Sequence, residues 1–94
     1  MTIKGIIWFD DIVEKLQRKH GVQQHEAVDV LNDGPSIRFV EKGHKKDENV
    51  YAAAGRTAGG RYLIVFFVHK SDGYALIISA RDMTAGERKR HGQG

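Results

Sequence analysis

Three arginines fall where a hairpin and the strand after it would gather them. Arg56 and Arg61 flank the short segment Thr57–Gly60, and Arg81 closes an apolar run just before Asp82-Met83-Thr84. A four-residue turn over 57–60 sets Arg56 directly opposite Arg61. Like charges opposed across a ladder repel by about a few tenths of a kcal/mol. The pair is therefore either two solvated side chains that splay apart or a joint grip on an anion, since the guanidinium fork matches phosphate oxygens. A second hairpin returns the chain so that Arg81 stands beside the start of the central strand, neighbouring strands lying about 4.8 Å apart. Arg56, Arg61 and Arg81 then meet at one end of a sheet. The N-terminus of a helix opens there too, and such termini favour anions. A register shift of one residue decides which of the three share a face.

Groups that could move a proton stand near the same strings. His20 follows Lys19 at the end of an N-terminal helical stripe, where it serves either the helix dipole or acid–base chemistry. His91 follows Glu87-Arg88-Lys89-Arg90, where an acid–base role is possible. His25 and His44 read as solvated, and His69 ends the central strand away from the arginines. Tyr62 and Tyr74 flank the sheet, where a tyrosine either stacks on a base or packs, packing being the commoner role. No histidine pair has metal-ligand spacing and no His-Glu-x-x-His string occurs, so no metal and no cofactor are expected. The glycines at 55–60 fit a hairpin better than a phosphate loop, and Ser79 has no acid–base pair near it in sequence to make it a nucleophile.

The elements that must position these groups follow from periodicity. Ile3, Ile6, Ile7 and Trp8 form a short strand or an extended lead-in. Phe9, Ile12, Val13 and Leu16 make one stripe of a helix that Asp10 and Asp11 open and Gly21 closes. A second helix runs from about Gln23 to Leu31 and stops at Asn32-Asp33-Gly34-Pro35. Strands follow: one around Ile37 and Phe39, one over 49–56 that its three alanines weaken, an unbroken apolar one over 62–68, and one over 74–80. The segment 42–48 is a charged loop. Thr84 and Glu87 have capping-box spacing, so a short helix closes the chain, its last few residues frayed. Helices first, then strands, then a helix predicts an α+β domain: two N-terminal helices packed on an antiparallel meander, with a short C-terminal helix.

The chain has 94 residues, enough for one domain, and its net charge of +3 leans toward an anionic partner. It has no cysteine, so disulfides and thiolate metal sites are excluded. No apolar run reaches the length of a membrane span, and Met1–Gly5 lacks the features of a signal peptide, so the default is a soluble cytoplasmic protein. No helix-turn-helix or basic-zipper pattern argues for direct DNA reading.

Three strings together resemble the BrnT family of bacterial toxins. They are Trp8 with a helix ending in Lys19-His20-Gly21-Val22 and a second helix with Glu26-Ala27; Gly55-Arg56-Thr57 through Gly60-Arg61 into an apolar strand; and Ile77-Ile78-Ser79-Ala80-Arg81-Asp82-Met83-Thr84 with Glu87-Arg88. The likeness spans roughly positions 6 to 91, and the last string is the most specific. It implies a fold related to RelE-type ribonuclease toxins and an endoribonuclease that needs no metal or cofactor. It further implies neutralisation by a cognate antitoxin, a heterotetrameric complex, and DNA contact only through that complex. Under it, Arg56, Arg61, Arg81, His20 and His91 are the catalytic candidates, and Lys19, Arg88 and Tyr62 are the RNA-binding ones. His91 stands where the family usually has a tyrosine, and Asp10-Asp11 departs from the commoner polar and lysine pattern. The rival expectation is a catalytically degenerate module that binds RNA or antitoxin without cutting.

Overall fold

The computed structural model describes residues 1–93. In chain order it contains β1 (Gly5–Ile7), α1 (Asp10–His20), α2 (Gln24–Asn32), β2 (Ser36–Glu41), β3 (Val50–Arg56), β4 (Tyr62–His69), β5 (Tyr74–Asp82) and α3 (Ala85–Gln93). Helix α3 is described as far as Gln93, and Gly94, the last of the residues expected to fray, lies outside the described residues.

Helix α1 stops where glycine permits it. Gly21 takes φ 59°, its N–H bonds the carbonyl of Gln17, and the N–H of Val22 bonds that of Leu16, so the last turn is closed from within. This closure turns Val22 inward, where it is fully buried. Helix α2 starts from a local cap: the Glu26 carboxylate accepts from the Gln23 N–H at 3.0 Å, and the Glu26 N–H bonds the Gln23 carbonyl at 3.0 Å.

The strand order is β1-β5-β4-β3-β2. Strands β2 to β5 form the antiparallel meander, but β1 lies parallel to β5, with Ile6 opposite Ala75. The sheet is therefore mixed rather than wholly antiparallel. The reason is the long connection: both N-terminal helices and three strands separate β1 from β5, enough chain for a parallel neighbour, which no tight hairpin can supply. Helices α1 and α2 pack on one face, where Leu16, Val22, Ala27 and Val30 meet Leu63, Val65, Phe67 and Ile77 of the sheet. Contact is close at Gly55, where an added Cβ would stand 3.0 Å from a methyl of Val30. A smaller cluster of Ala52, Ile64 and Met83 lies on the other face, with Ala54, Tyr62 and Phe66 against it. Among the described residues no helix is long and apolar enough to cross a membrane.

The charged loop over 42–48 hides one buried carboxylate. Glu48 accepts from Lys70 Nζ at 2.9 Å and from the Ser71 N–H and hydroxyl at 3.0 and 3.1 Å. The Ser71 amide, then the Lys70 ammonium, hold its carboxyl down at about 2. The loop is thereby tied to the β4–β5 turn at the end of the sheet away from Arg56. At that end His69 Nε2 also lies 3.0 Å from the carbonyl of Thr2.

Phe67 is fully buried in the main cluster, and its truncation leaves a void that the surrounding strands cannot close. Phe67→Ala is expected to lower the stability by about 3–5 kcal/mol, measured by urea denaturation. A loss below about 1 kcal/mol would mean the core is not centred there.

Candidate functional site

The turn after β3 decides which side chains meet. The Thr57 N–H bonds the Arg61 carbonyl at 2.8 Å, the Gly60 N–H bonds the Thr57 carbonyl at 2.9 Å, and the Arg61 N–H bonds the Thr57 hydroxyl at 3.0 Å. Gly60 takes φ 92°, and the Ala58 N–H bonds the Asp29 carboxylate at 3.1 Å, which pins the turn to α2. The segment 57–61 thus lies outside the ladder, and Arg56 pairs with Tyr62 rather than with Arg61. The expected register is off by one residue because the Thr57 hydroxyl draws Arg61 into the turn. One residue of shift reverses a side chain's face. Arg56 and Arg61 therefore stand on opposite faces, and the three arginines do not form one cluster.

On the α3 face, four of the candidates converge. The Arg56 guanidinium lies 5.3 Å from the Tyr62 ring centre and that of Arg88, from α3, lies 4.5 Å from it. The His91 ring meets Tyr62 edge-on, with centres 6.1 Å apart. Each exposed cation–ring contact is worth about 0.5–1 kcal/mol, so the cluster is held only weakly. Tyr62 and His91 are half-buried, whereas Arg56 and Arg88 are exposed.

Arg81 shares this face, opposite Ile64, but it is already engaged. It bonds both Glu87 oxygens, at 2.7 and 3.1 Å, and its guanidinium lies 5.7 Å from the Phe66 ring centre. Glu87 also accepts from the Thr84 N–H at 2.8 Å, while its own N–H bonds the Thr84 hydroxyl at 3.2 Å. The capping box read from sequence is present, and the same carboxylate clamps α3 to β5. Arg81, then the Thr84 amide, hold the Glu87 carboxyl at about 2. His91 sits one helical turn beyond Glu87, so this clamp sets the position of the imidazole.

Arg61 does equivalent work on the other face. Its guanidinium bonds Asp82 at 2.7 and 3.0 Å, Glu26 at 3.1 Å, and the carbonyls of His20 and Gly21, each at 2.8 Å. It joins the end of α1, the start of α2 and the end of β5. The ion pair holds the Asp82 carboxyl below the usual carboxylate range, with the charge of neighbouring His20 adding to it. Lys19 and His20 are exposed on this side of the sheet end. A shallow cleft of about 300 Å³, lined by Gly60, Arg61, Tyr62, Asp82, Met83 and Arg88, runs between the two sides.

The sequence did not disclose the partners of Arg61 and Arg81. The Thr84–Glu87 spacing gave one role of Glu87, but its second partner is fixed by the path of the chain from β5 into α3. Among the described residues no three His, Cys, Asp or Glu side chains converge as a metal-ligand group.

The profile of the family described as the ribonuclease toxin BrnT of type II toxin–antitoxin systems matches residues 8–87. The fold is similar to the crystal structure of the Brucella abortus ribonuclease toxin BrnT. That similarity has a TM-score of 0.60 and 22% sequence identity, and it covers 88% of this chain and 99% of that one. No curated protein matches the chain in sequence.

Two outcomes follow from the clamps. Because the Glu87 carboxyl is held at about 2, below its ordinary 4.5, its contribution to stability is fully present above pH 4.5 and is lost as pH falls through about 2. Carboxyl NMR should place its titration near the lower value, and Arg81→Gln should move it upward; a midpoint near 4.5 in the parent chain would show that the clamp is not formed. Arg61→Ala strands two carboxylates and two carbonyls, and is expected to cost about 2 kcal/mol in denaturant unfolding. An unchanged unfolding midpoint would remove Arg61 from the framework.

Proposed function

The chain belongs to the family of BrnT ribonuclease toxins of type II toxin–antitoxin systems, and on that premise we propose that it is an endoribonuclease that cuts RNA without a metal, with the reacting phosphate at the Tyr62 cluster. The observation that carries this reading is the convergence of Arg56, Arg88 and His91 on one tyrosine ring at the open end of the sheet. In such a reaction the ribose 2′-hydroxyl attacks the adjacent phosphate, charge grows on the phosphoryl oxygens, and two protons move. Arg56 and Arg88 meet that charge, and Tyr62 holds both guanidinium groups at the spot. His91 carries one proton transfer, and His20, across the end of the sheet, is the candidate for the other, imidazole being the side chain suited to this work at neutral pH. Glu87 is a poor proton carrier because its carboxyl is committed to Arg81 and Thr84.

Arg81 and Arg61 serve this chemistry by position. Arg81 fixes α3, and so Arg88 and His91; Arg61 fixes the carbonyl end of α1, and so His20 and Lys19, the latter steering the RNA backbone. In the cell this reading places the chain in the cytoplasm, with RNA as substrate and a cognate antitoxin that neutralises it in a heterotetramer. That complex touches DNA through the antitoxin. The relation to RelE-type toxins belongs to the same reading.

One observation favours a second reading. Two of the three arginines expected to stabilise charge are already paired with carboxylates, which agrees with the departure at His91 that the resemblance implies. A degenerate module that binds RNA or antitoxin without cutting would have these features.

Incubation of the purified chain with total RNA in EDTA separates the two. The parent is expected to cut, Arg56→Ala to be slower by about 100- to 1000-fold, the usual cost of one charge-stabilising donor, and His91→Ala to be impaired as well. Salt-sensitive RNA binding with no fragments would establish the binding module instead.

A further inference from the structure

Beside the Tyr62 cluster lies a second recess that the reaction itself does not use. It is a groove of about 270 Å³ between α3 and the outer strands. Its floor is Ala52, Ala54, Ile64 and Met83. The floor follows from the register: Ser36, Ala54 and Ile64 lie in one row across the sheet, and Arg38, Ala52 and Phe66 in the next. The rim carries Ser36 and Arg38 on one side and Arg90 on the other, and the groove ends at Glu87 and His91. His91 therefore belongs to both the groove and the Tyr62 cluster, and Met83 lines both this groove and the neighbouring cleft.

Resting on the ribonuclease reading above, we propose that this groove is a nucleobase subsite, which receives a base next to the phosphate held at Tyr62. The space is smaller than that of a drug-sized ligand and suits one planar group. An unstacked RNA base pairs an apolar face with a polar edge, and it is bound by apolar surfaces, by guanidinium planes and by donors directed at that edge. The groove supplies each: an apolar floor, two guanidinium groups at the rim, and the Ser36 hydroxyl. Its single carboxylate, Glu87, is already neutralised by Arg81, so the recess presents net positive charge to an anionic chain. The continuity through His91 lets one nucleotide put its phosphate on Arg56 and Arg88 and its base in the groove. Arg38 and Arg90 are then the residues that set base preference.

The test is a titration of the full chain, methyl-labelled at alanine and isoleucine, with the four nucleoside 5′-monophosphates and with ribose 5-phosphate. At least one nucleotide is expected to shift the Ala54 and Ile64 methyl signals, and ribose 5-phosphate is expected not to. Arg38→Ala, at an exposed position on an edge strand, should weaken that response about tenfold. Ala54→Leu, which fills the floor, should abolish it while the other methyl signals keep the folded pattern. Methyl signals that respond equally to ribose 5-phosphate, or that ignore every nucleotide and move only with the antitoxin, would overturn the proposal. The readout is independent of cleavage. A chain that binds nucleotides there but cuts no RNA rejects the ribonuclease reading alone, and a chain that cuts RNA with a silent groove rejects the subsite alone.

Discussion

The register of the β3–β4 hairpin is the constraint on which the site depends. With Thr57 and Arg61 bonded to one another inside the turn, Arg56 is left opposite Tyr62. That pairing puts Arg56 on the α3 face beside the aromatic ring and sends Arg61 to the face covered by α1 and α2. A turn one residue shorter would bring Arg56 and Arg61 to the same face, where their charges would repel and the α1–α2 junction would lose its central cation. The Ala58–Asp29 bond and the left-handed Gly60 make the longer turn the favoured one. A local choice of turn thus fixes the division of labour among the arginines: one at the open cluster, two committed to framework.

Those two framework arginines solve a common problem. At this end of the sheet α3 and the last turn of α1 must hold their place beyond the reach of the main core, since α3 is polar and α1 ends in exposed Arg18, Lys19 and His20. Arg81 meets a carboxylate on α3, and Arg61 meets carboxylates on α2 and β5 together with the last carbonyls of α1. Bidentate guanidinium–carboxylate pairs give direction as well as attraction. At a partly exposed edge they therefore orient these elements where apolar packing alone would leave them loose. The same logic holds at the opposite end, where Glu48 ties the loop before β3 to the turn after β4.

Much of this was legible in the sequence. The two N-terminal helices, the four-strand meander and the Thr84–Glu87 cap follow from periodicity and from end signals, which act over a few residues. The strand with three alanines is present: in the meander it is flanked on both sides, and pairing there outweighs weak intrinsic preference. What the sequence did not yield lies at longer range. The parallel seat of β1 depends on which sheet edge remains open once the meander has formed. The face assigned to Arg61 depends on a side-chain bond inside a turn. The pairing of Arg81 with Glu87 depends on the direction in which α3 leaves the sheet. The arginines do lie at one end of the sheet; which face each takes was open to one residue of register, and the five-residue turn decides it, because a strand reverses its side chains at every residue.

The central claim is that the phosphate at Tyr62 is attacked by the neighbouring 2′-hydroxyl, with guanidinium groups supplying the positive charge. The chemistry of the product ends tests it most directly. Fragments made by the purified chain in EDTA are predicted to carry a 5′-hydroxyl on one side of the cut and a 2′,3′-cyclic phosphate on the other. Substrates with a deoxyribose at the scissile position should stay intact. Cleavage of those deoxy substrates, or fragments bearing 5′-phosphates, would contradict the account, because water rather than the ribose would then be the nucleophile.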